Sequence, residues 1–244
     1  MPNRTRLSNT PLWRSLAVIV LIAGVIGAAP GTAPAQAAPA AAPVLKPALG
    51  LLPSPAITIN VNTASIAKDA QDGKCDLWEA MQAQVAAVLS YVDHYNECSA
   101  LPGGPNVIGF IGPAAGGTIE LPNNVNIGDL PFAWGDLTIL GPITIKPSAA
   151  LTDNHIFRTA GDSTFTLIGV SLTGAHTSGS GGAILDLNHA TINLIGDNIT
   201  SNSADNTGGA IDSKGSVNVS LSNFSGNTAL GVNGGVGSGG AIAI

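Results

Sequence analysis

The sequence predicts an all-β fold in which short parallel strands stack as a β-helix, or solenoid, behind a single N-terminal helix. The tetrapeptide Gly-Gly-Ala-Ile occurs at 181–184, 208–211 and 239–242, and a second motif at 198–204 returns at 223–229. Near-fixed periods of roughly 20 to 50 residues are typical of solenoids. Each period here contains strand and turn signals but no helical segment, so the repeating unit is a coil of short strands.

Equivalent residues of successive coils are expected to lie above one another, because each coil pairs in parallel with the next. This predicts one stack of isoleucines and one of mixed large apolar residues: Ile184, Ile211 and Ile242, and Leu172, Ile199 and Phe224. Glycine adopts positive φ without steric cost. The paired glycines are expected to do so where the chain turns into the next strand: Gly181, Gly182, Gly208, Gly209, Gly239 and Gly240.

Asparagines recur at the predicted corners between strands. Asn198 is expected to lie over Asn223, and Asn202 over Asn227, because both pairs keep the offset of the second motif. Stacked amides can satisfy backbone groups that glycine-rich turns leave without partners. We therefore predict two asparagine ladders.

Composition excludes some classes of protein. Only 10% of the 244 residues are charged and the formal net charge is −6. This argues against a nucleic-acid partner, because neutralising phosphates needs clustered Lys and Arg. The hydrophobic fraction of 45% provides for a sizeable core.

The N-terminus is typical of an export signal. Arg4, Arg6 and Arg14 precede an uncharged apolar run at 16–29, and a small-x-small site follows at 35–37. We expect residues 1–37 to form a signal peptide that contacts the membrane transiently, and the mature protein to be secreted or displayed at the cell surface. The alternative is a retained anchor, although the run is shorter than the roughly 20 residues that span a bilayer.

An Ala/Pro-rich linker is predicted at 38–56, where five prolines disfavour helix and central strand. A cap region is predicted at 57–106 and the β-helix repeats at 107–244. The repeats stop at Ile244, inside a predicted strand, so we expect the chain to be truncated at its C-terminus.

The cap region contains the only convincing helix. Asp76 and Glu79 form a capping-box pattern at its start. The helix is expected to run to about Tyr91, with one buried face given by helical spacing: Leu77, Met81, Val85, Val88, Leu89 and Val92.

Cys75 and Cys98 flank this helix and are the two cysteines of the chain. An exported protein with two cysteines most simply pairs them. The alternative is two free thiols.

Strand signals follow from residue 107 at intervals of about ten to fifteen residues. The predicted strands are Val107–Phe110, Thr118–Leu121, Leu137–Ile145, Ile156–Thr159, Phe165–Leu172, Ala183–Leu187, Thr191–Ile195 and Ser216–Phe224.

The segment Cys75-Asp76-Leu77-Trp78-Glu79-Ala80, with Gly117–Leu121 and Leu137–Pro142 after it, resembles the CSLREA-domain proteins of bacteria. Asp76 and Trp78 depart from the name motif. The Gly-Gly-Ala-Ile repeats and Phe224-Ser225-Gly226-Asn227 are similar to repeats of polymorphic outer-membrane proteins and autotransporter passengers. The resemblance implies a right-handed parallel β-helix that opens with a disulfide-bearing helix.

No catalytic constellation stands out, and we expect no catalytic residue, metal or cofactor. The chain has no Asp-Asp pair and no Gly-His-Gly, and its four histidines lack metal-ligand spacing. A lyase-type site would depend on Arg158 with Asp153 or Asp162.

Two functions stay open. The first is a passenger or adhesin-like scaffold without catalytic activity, which binds glycans or proteins of a host or neighbouring cell on its sheet faces. The alternative is a lyase-type enzyme that acts on polysaccharide.

Overall fold

The computed structural model describes residues 57–67, 71–123, 130–232 and 237–244. These residues form one α-helix, α1 (Leu77–Ser90), a 3-10 turn at Gly112–Ala114, and seventeen strands. The strands are β1 Ile57–Val61, β2 His94–Tyr95, β3 Cys98–Ser99, β4 Asn106–Phe110, β5 Thr118–Leu121, β6 Ala133–Pro147, β7 Phe157–Thr173, β8 His176–Thr177, β9 Ile184–Asp186, β10 Thr191–Ile195, β11 Asn198–Thr200, β12 Ser203–Ala204, β13 Ile211–Ser213, β14 Ser216–Ser220, β15 Asn223–Ser225, β16 Thr228–Ala229 and β17 Ile242–Ala243.

Twelve of the strands stack in parallel on three faces, and we call each turn around the stack a rung. Face A contains the starts of β6 and β7, then β9, β13 and β17. Face B contains β1, β4, β6, β7, β10 and β14. Face C contains β5, β6, β7, β11 and β15. The predicted parallel β-solenoid is confirmed.

Strands β6 and β7 bend through corners and so belong to more than one face. A short ladder of β8, β12 and β16 closes the rungs of β7, β11 and β15 before the chain returns to face A. The predicted strands overlap the observed ones, but predicted Ser216–Phe224 is divided into β14 and the start of β15. The two-residue strands β2, β3, β8, β12 and β16 were not predicted, since they are too short to show alternation. The three-residue strands β11 and β13 were also absent from the predicted set.

The interior is filled by residues in register. On face A, Ile211 lies between Ile184 and Ile242. Ile184 and Ile211 are fully buried, which contributes about 1.5 to 3 kcal/mol each. On face C, Ile199 lies between Leu172 and Phe224.

The two glycines of each tetrapeptide have different roles. The first glycine of each tetrapeptide has a positive φ, for example +61° at Gly208. The second glycine of each tetrapeptide does not. A Cβ on Gly209 would instead collide with the carbonyl oxygen of Gly240 in the next rung. The expectation that both glycines supply positive φ is therefore half wrong, because the second one permits close stacking of rungs.

Helix α1 begins with the capping box. The Asp76 carboxylate accepts the Glu79 N–H at 2.9 Å, and the Glu79 carboxylate accepts the Asp76 N–H at 3.2 Å. The helix ends at Ser90, and its C-cap residue, Tyr91, adopts the left-handed conformation. Burial raises the pKa of the Glu79 carboxyl, despite the hydrogen bond from Asn96.

The predicted buried face of α1 is partly wrong. Leu89 is 54% exposed and Val92 is 39% exposed. The buried side chains include Ala83, Gln84 and Ala87 instead. Small side chains let the helix approach its neighbours closely, and the Gln84 amide is bonded to groups on the solenoid, so hydrophobicity alone did not identify this face.

Cys75 and Cys98 form a disulfide with their Cα atoms 5.2 Å apart, as predicted. The bridge joins the segment before α1 to β3, which pairs with β2 as a short antiparallel hairpin. Both cysteines are buried.

The predicted signal peptide and linker at 1–56 lie outside the described residues. Strand β1 falls in the predicted cap region, where it pairs in parallel with β4 as part of face B. No helix in the described ranges is both long enough and apolar enough to cross a membrane.

Candidate binding groove on face B

The outward side of face B carries a groove of about 480 Å³. Successive side chains of a strand point to opposite sides of its sheet. Phe165, Leu167 and Leu194 are buried inside the solenoid, while Thr166 and Asn193 alternate with them on the outside. Packing of these buried side chains fixes the positions of β7 and β10, whose outer side forms the floor of the groove.

Three ranks of side chains run across the rungs of this groove. One rank carries mainly hydroxyls, the middle rank carries hydroxyls and amides, and the third is largely aliphatic. The register gives their members as Asp136, Thr164, Thr191 and Ser216, then Thr138, Thr166, Asn193 and Asn218, then Leu140, Ile168, Ile195 and Ser220.

The middle rank is linked by hydrogen bonds. Asn218 Nδ2 donates to Asn193 Oδ1 at 2.9 Å, and Asn193 Nδ2 donates to Thr166 Oγ1 at 3.2 Å. Each amide retains a second N–H that these bonds do not use. The rank is therefore oriented and can still bind a ligand.

Charge is scarce in the groove. Asp136 is the one ionisable residue among the thirteen residues that line it. The lining offers neutral donors and acceptors beside the aliphatic Ile168 and Ile195, a combination that suits a ligand with both hydroxyl groups and C–H surface.

A buried carboxylate lies at the corner where face B ends. Asp197 is 2% exposed and accepts the N–H groups of Val170 at 2.7 Å and Ile195 at 2.8 Å. Burial outweighs these hydrogen bonds and raises the pKa of Asp197 to about 7. Because Ile195 lines the groove, Asp197 helps to fix the groove's edge.

A second buried carboxylate, Asp186, lies inside face A. Thr159 Oγ1 in the rung before and Ser213 Oγ in the rung after each donate to it at 2.8 Å. The N–H groups of Asn188, Ala190 and Gly215 also donate to it. The pKa of Asp186 is lowered overall. Burial acts to raise it, but the hydrogen bonds to the carboxylate together have the larger effect.

The aspartates Asp186 and Asp212 of successive rungs do not lie over one another and have different neighbours. Asp212 pairs in register with Leu185, whereas Asp186 pairs with Ser213. The structural roles of Asp186 and Asp197 were missed. The sequence did contain a signal for the role of Asp186. Thr159 and Ser213 each lie 27 positions from Asp186, close to the repeat period, so hydroxyl groups could be expected above and below its carboxylate.

The asparagines of the second motif lie in two different settings. Asn202 is fully buried, and its Oδ1 accepts the Ala175 N–H at 3.0 Å while its Nδ2 donates to Asn227 Oδ1 at 3.1 Å. Asn223 Nδ2 donates to Asn198 Oδ1 at 2.8 Å on the exposed side of face C.

The residues considered for a lyase site have other contacts. The guanidinium of Arg158, near the start of β7, lies 4.3 Å from the ring centroid of Phe132. The Asp153 carboxylate accepts the N–H and the Oγ–H of Ser178, both at 2.7 Å, and these bonds lower its pKa. Asp162 is exposed on β7.

Across the ranges that the structure describes, no group of three or more His, Cys, Asp or Glu side chains is placed to hold a metal ion. His155 and His189 direct Nδ1 at backbone oxygens, those of Gly181 and Lys214. His176 Nδ1 lies 2.9 Å from Ser203 Oγ.

Comparison of the chain with protein families, with curated proteins and with solved structures found no match.

Proposed function

We propose that the chain is an exported right-handed parallel β-helix, secreted or displayed at the cell surface, that binds glycans in the face B groove without catalysing a reaction on them. The resemblance of the Cys75 segment to CSLREA-domain proteins and of the Gly-Gly-Ala-Ile repeats to those of polymorphic outer-membrane proteins supports an exported β-helix. The groove is the observation that carries the binding role.

The groove matches the chemistry of sugars. A pyranose ring presents hydroxyl groups around its edge and C–H bonds on its faces. The amides of Asn193 and Asn218 can bond to the hydroxyls, while Ile168 and Ile195 provide an apolar surface. Neutral groups predominate in the groove, so binding there does not depend on opposite charge.

A scaffold role also fits the contacts of the polar residues outside the groove. Cleavage by a lyase needs a base and carboxylates that converge on a substrate. The Asp153 carboxylate bonds to Ser178, and the Arg158 guanidinium stacks on Phe132. These contacts are consistent with structural roles, in which Asp153 holds the segment of Ser178 and Arg158 packs on Phe132 at the start of β7.

Binding to an immobilised glycan panel tests the proposal. The wild-type chain is compared with Asn193→Ala, which removes an amide from the groove, and with Asn198→Ala, a matched control. Asn193 and Asn198 belong to the same rung, and each accepts a hydrogen bond from an asparagine in the next rung.

The proposal predicts glycan binding that Asn193→Ala weakens and Asn198→Ala does not. If no glycan on the panel binds, or if both variants weaken binding equally, the proposed function is wrong. Incubation with pectate and alginate, with and without calcium, should yield no unsaturated product. Cleavage that is lost in Arg158→Ala would instead establish the lyase alternative.

Export has its own test. Expression of the full chain in a bacterial host with a secretion pathway should give an extracytoplasmic product whose N-terminus is Ala38. A product that remains in the cytoplasm with residues 1–37 attached would contradict the export proposal.

A further inference from the structure

The three ranks of the groove differ from one another: the middle rank is polar on every rung, the first is mainly hydroxyl, and the third is aliphatic until Ser220. Moving along the solenoid axis, a ligand meets Thr166, then Asn193, then Asn218, all with side-chain hydrogen-bonding groups. Moving along β10, it meets a hydroxyl, an amide and an aliphatic group in Thr191, Asn193 and Ile195, and β7 offers two hydroxyls before the aliphatic Ile168. The groove thus has a chemical repeat along the axis.

The length of that repeat is the distance between paired strands, about 4.8 Å. Four rungs contribute to the middle rank, through β6, β7, β10 and β14, and they extend over about 14 Å. This repeat is close to the length of one pyranose residue in an extended chain. A linear polysaccharide along the axis can therefore present one sugar to each rung.

The order of the ranks also fits such a chain. Hydroxyl side chains of Thr164 and Thr191 lie on one side of the middle rank, and the aliphatic Ile168 and Ile195 lie on the other. Every residue of an extended chain of one repeating sugar carries hydroxyl groups at its edge and C–H surface on its faces, so each rung can contact one residue. A branched or compact glycan does not place one residue at each of several rungs.

The charges of the groove select against acidic chains. Asp136 is exposed at one end, and no Lys or Arg lines the groove. A carboxylate on each sugar of a polyuronate would enter without a counter-charge. The groove is therefore better matched to an uncharged polysaccharide.

Resting on the proposed glycan-binding function, we infer that the ligand of the groove is an extended, linear, uncharged polysaccharide that runs along the solenoid axis with one sugar residue per rung. This assigns the ligand's class, its direction and the number of sugars that are in contact with the groove.

Calorimetric titration with oligosaccharides of one to six residues tests the inference. The probes are the cello-, xylo-, manno- and laminari-oligosaccharide series, with oligogalacturonides of the same lengths as the acidic comparison. In at least one uncharged series, affinity is expected to rise with each sugar up to four residues and then to level off, because four rungs line the groove. Oligogalacturonides are expected to bind at least tenfold more weakly than uncharged chains of equal length.

Two variants test which ranks of the groove contact the bound polysaccharide. Ile195→Thr keeps the branch at Cβ, removes the Cδ1 methyl and replaces an aliphatic group of one rung by a hydroxyl, so it should lower the affinity for the tetrasaccharide several-fold. Asn193→Ala should lower it about tenfold, and Asn198→Ala on face C should leave it unchanged. Circular dichroism of each variant checks that the fold is retained.

The outcomes separate this inference from the function on which it rests. Equal affinity for mono- and tetrasaccharides, tighter binding of oligogalacturonides, or no length-dependent binding in any of the four uncharged series overturns the axial polysaccharide. If the panel of immobilised glycans still shows binding that depends on Asn193, the broader glycan-binding proposal stands. If the panel shows none, both proposals fail.

Discussion

Asn227 Oδ1 accepts two hydrogen bonds from Asn202 in the preceding rung, one from its backbone N–H at 3.0 Å and one from its side-chain Nδ2–H at 3.1 Å. Asn227 Nδ2 in turn donates to the Ile199 carbonyl at 2.8 Å. One amide therefore satisfies three groups of the neighbouring corner. Because buried polar groups are costly without partners, this pair helps to fix the stacking of the two rungs.

Replacement of Asn202 by alanine should destabilise the fold by about 3 kcal/mol, because the Ala175 N–H and groups of the Asn227 corner lose buried partners. Urea unfolding followed by circular dichroism measures the change. Asn198→Ala, at the exposed ladder of the same rung, serves as the control and should cost no more than about 0.5 kcal/mol. Equal effects of the two substitutions would contradict the buried role of Asn202.

The buried carboxyl of Asp197 predicts a fall in stability as pH rises. Its pKa is about 7 in the folded chain, above the usual value of 3.8, so the folded state binds the proton more tightly. The resulting stability is present below about pH 4 and is lost as pH rises through 7, by an amount on the order of 4 kcal/mol.

The free energy of unfolding, measured from pH 4.5 to 8 for wild type and Asp197→Asn, checks this slope. The amide can still accept the Val170 N–H but does not titrate in this range, so the variant's profile should be flatter. Identical slopes would show that another group is responsible. Asp186 and Asp153 have lowered pKa values, so their effect on stability has the opposite dependence on pH. Their contribution is present above about pH 4 and is lost as pH falls below it.

Substitution of Ile211 by aspartate should destabilise the chain by several kcal/mol, because the side chain is fully buried between Ile184 and Ile242 and the new charge has no partner. Ile211→Val, which removes one methylene, should cost about 1 kcal/mol. Thermal unfolding of both variants measures the difference. A stable Ile211→Asp protein would refute an inward position for this residue.

Loss of the disulfide should cost about 3 kcal/mol, since the bridge closes a loop with a sequence separation of 23. The double variant Cys75→Ser, Cys98→Ser is compared with the wild type in guanidinium unfolding. Wild-type protein kept fully reduced should match the variant. Retention of full stability in both cases would mean that the helix is held by its other contacts alone.

The repeat made the stacking predictable, because identical neighbours in successive rungs require identical registers. Ile184 and Ile211 could be paired from the tetrapeptide alone. The capping box at Asp76 was equally visible, since it depends on residues three apart. Both features are local or strictly periodic, and such patterns can be read from one sequence.

The polar interior could not be predicted in the same way. Asp186 and Asp197 are surrounded by residues some 25 to 29 positions away or by backbone groups at corners. Their burial depends on where the corners fall, which the repeat does not specify. The groove required the same information, since Thr166, Asn193 and Asn218 become a continuous rank only once the rungs are in register. On α1, Gln84 is buried because of distant partners that helical spacing does not reveal.

The rung interface between β6 and β7 has ten registered residue pairs and continues through the corners, whereas β1 and β4 share five. Tension applied along the solenoid axis loads each rung-to-rung contact in series, so the contacts with the fewest bonds part first. Among the described rungs, stretching the molecule would therefore separate β1 from β4 before it separates β6 from β7.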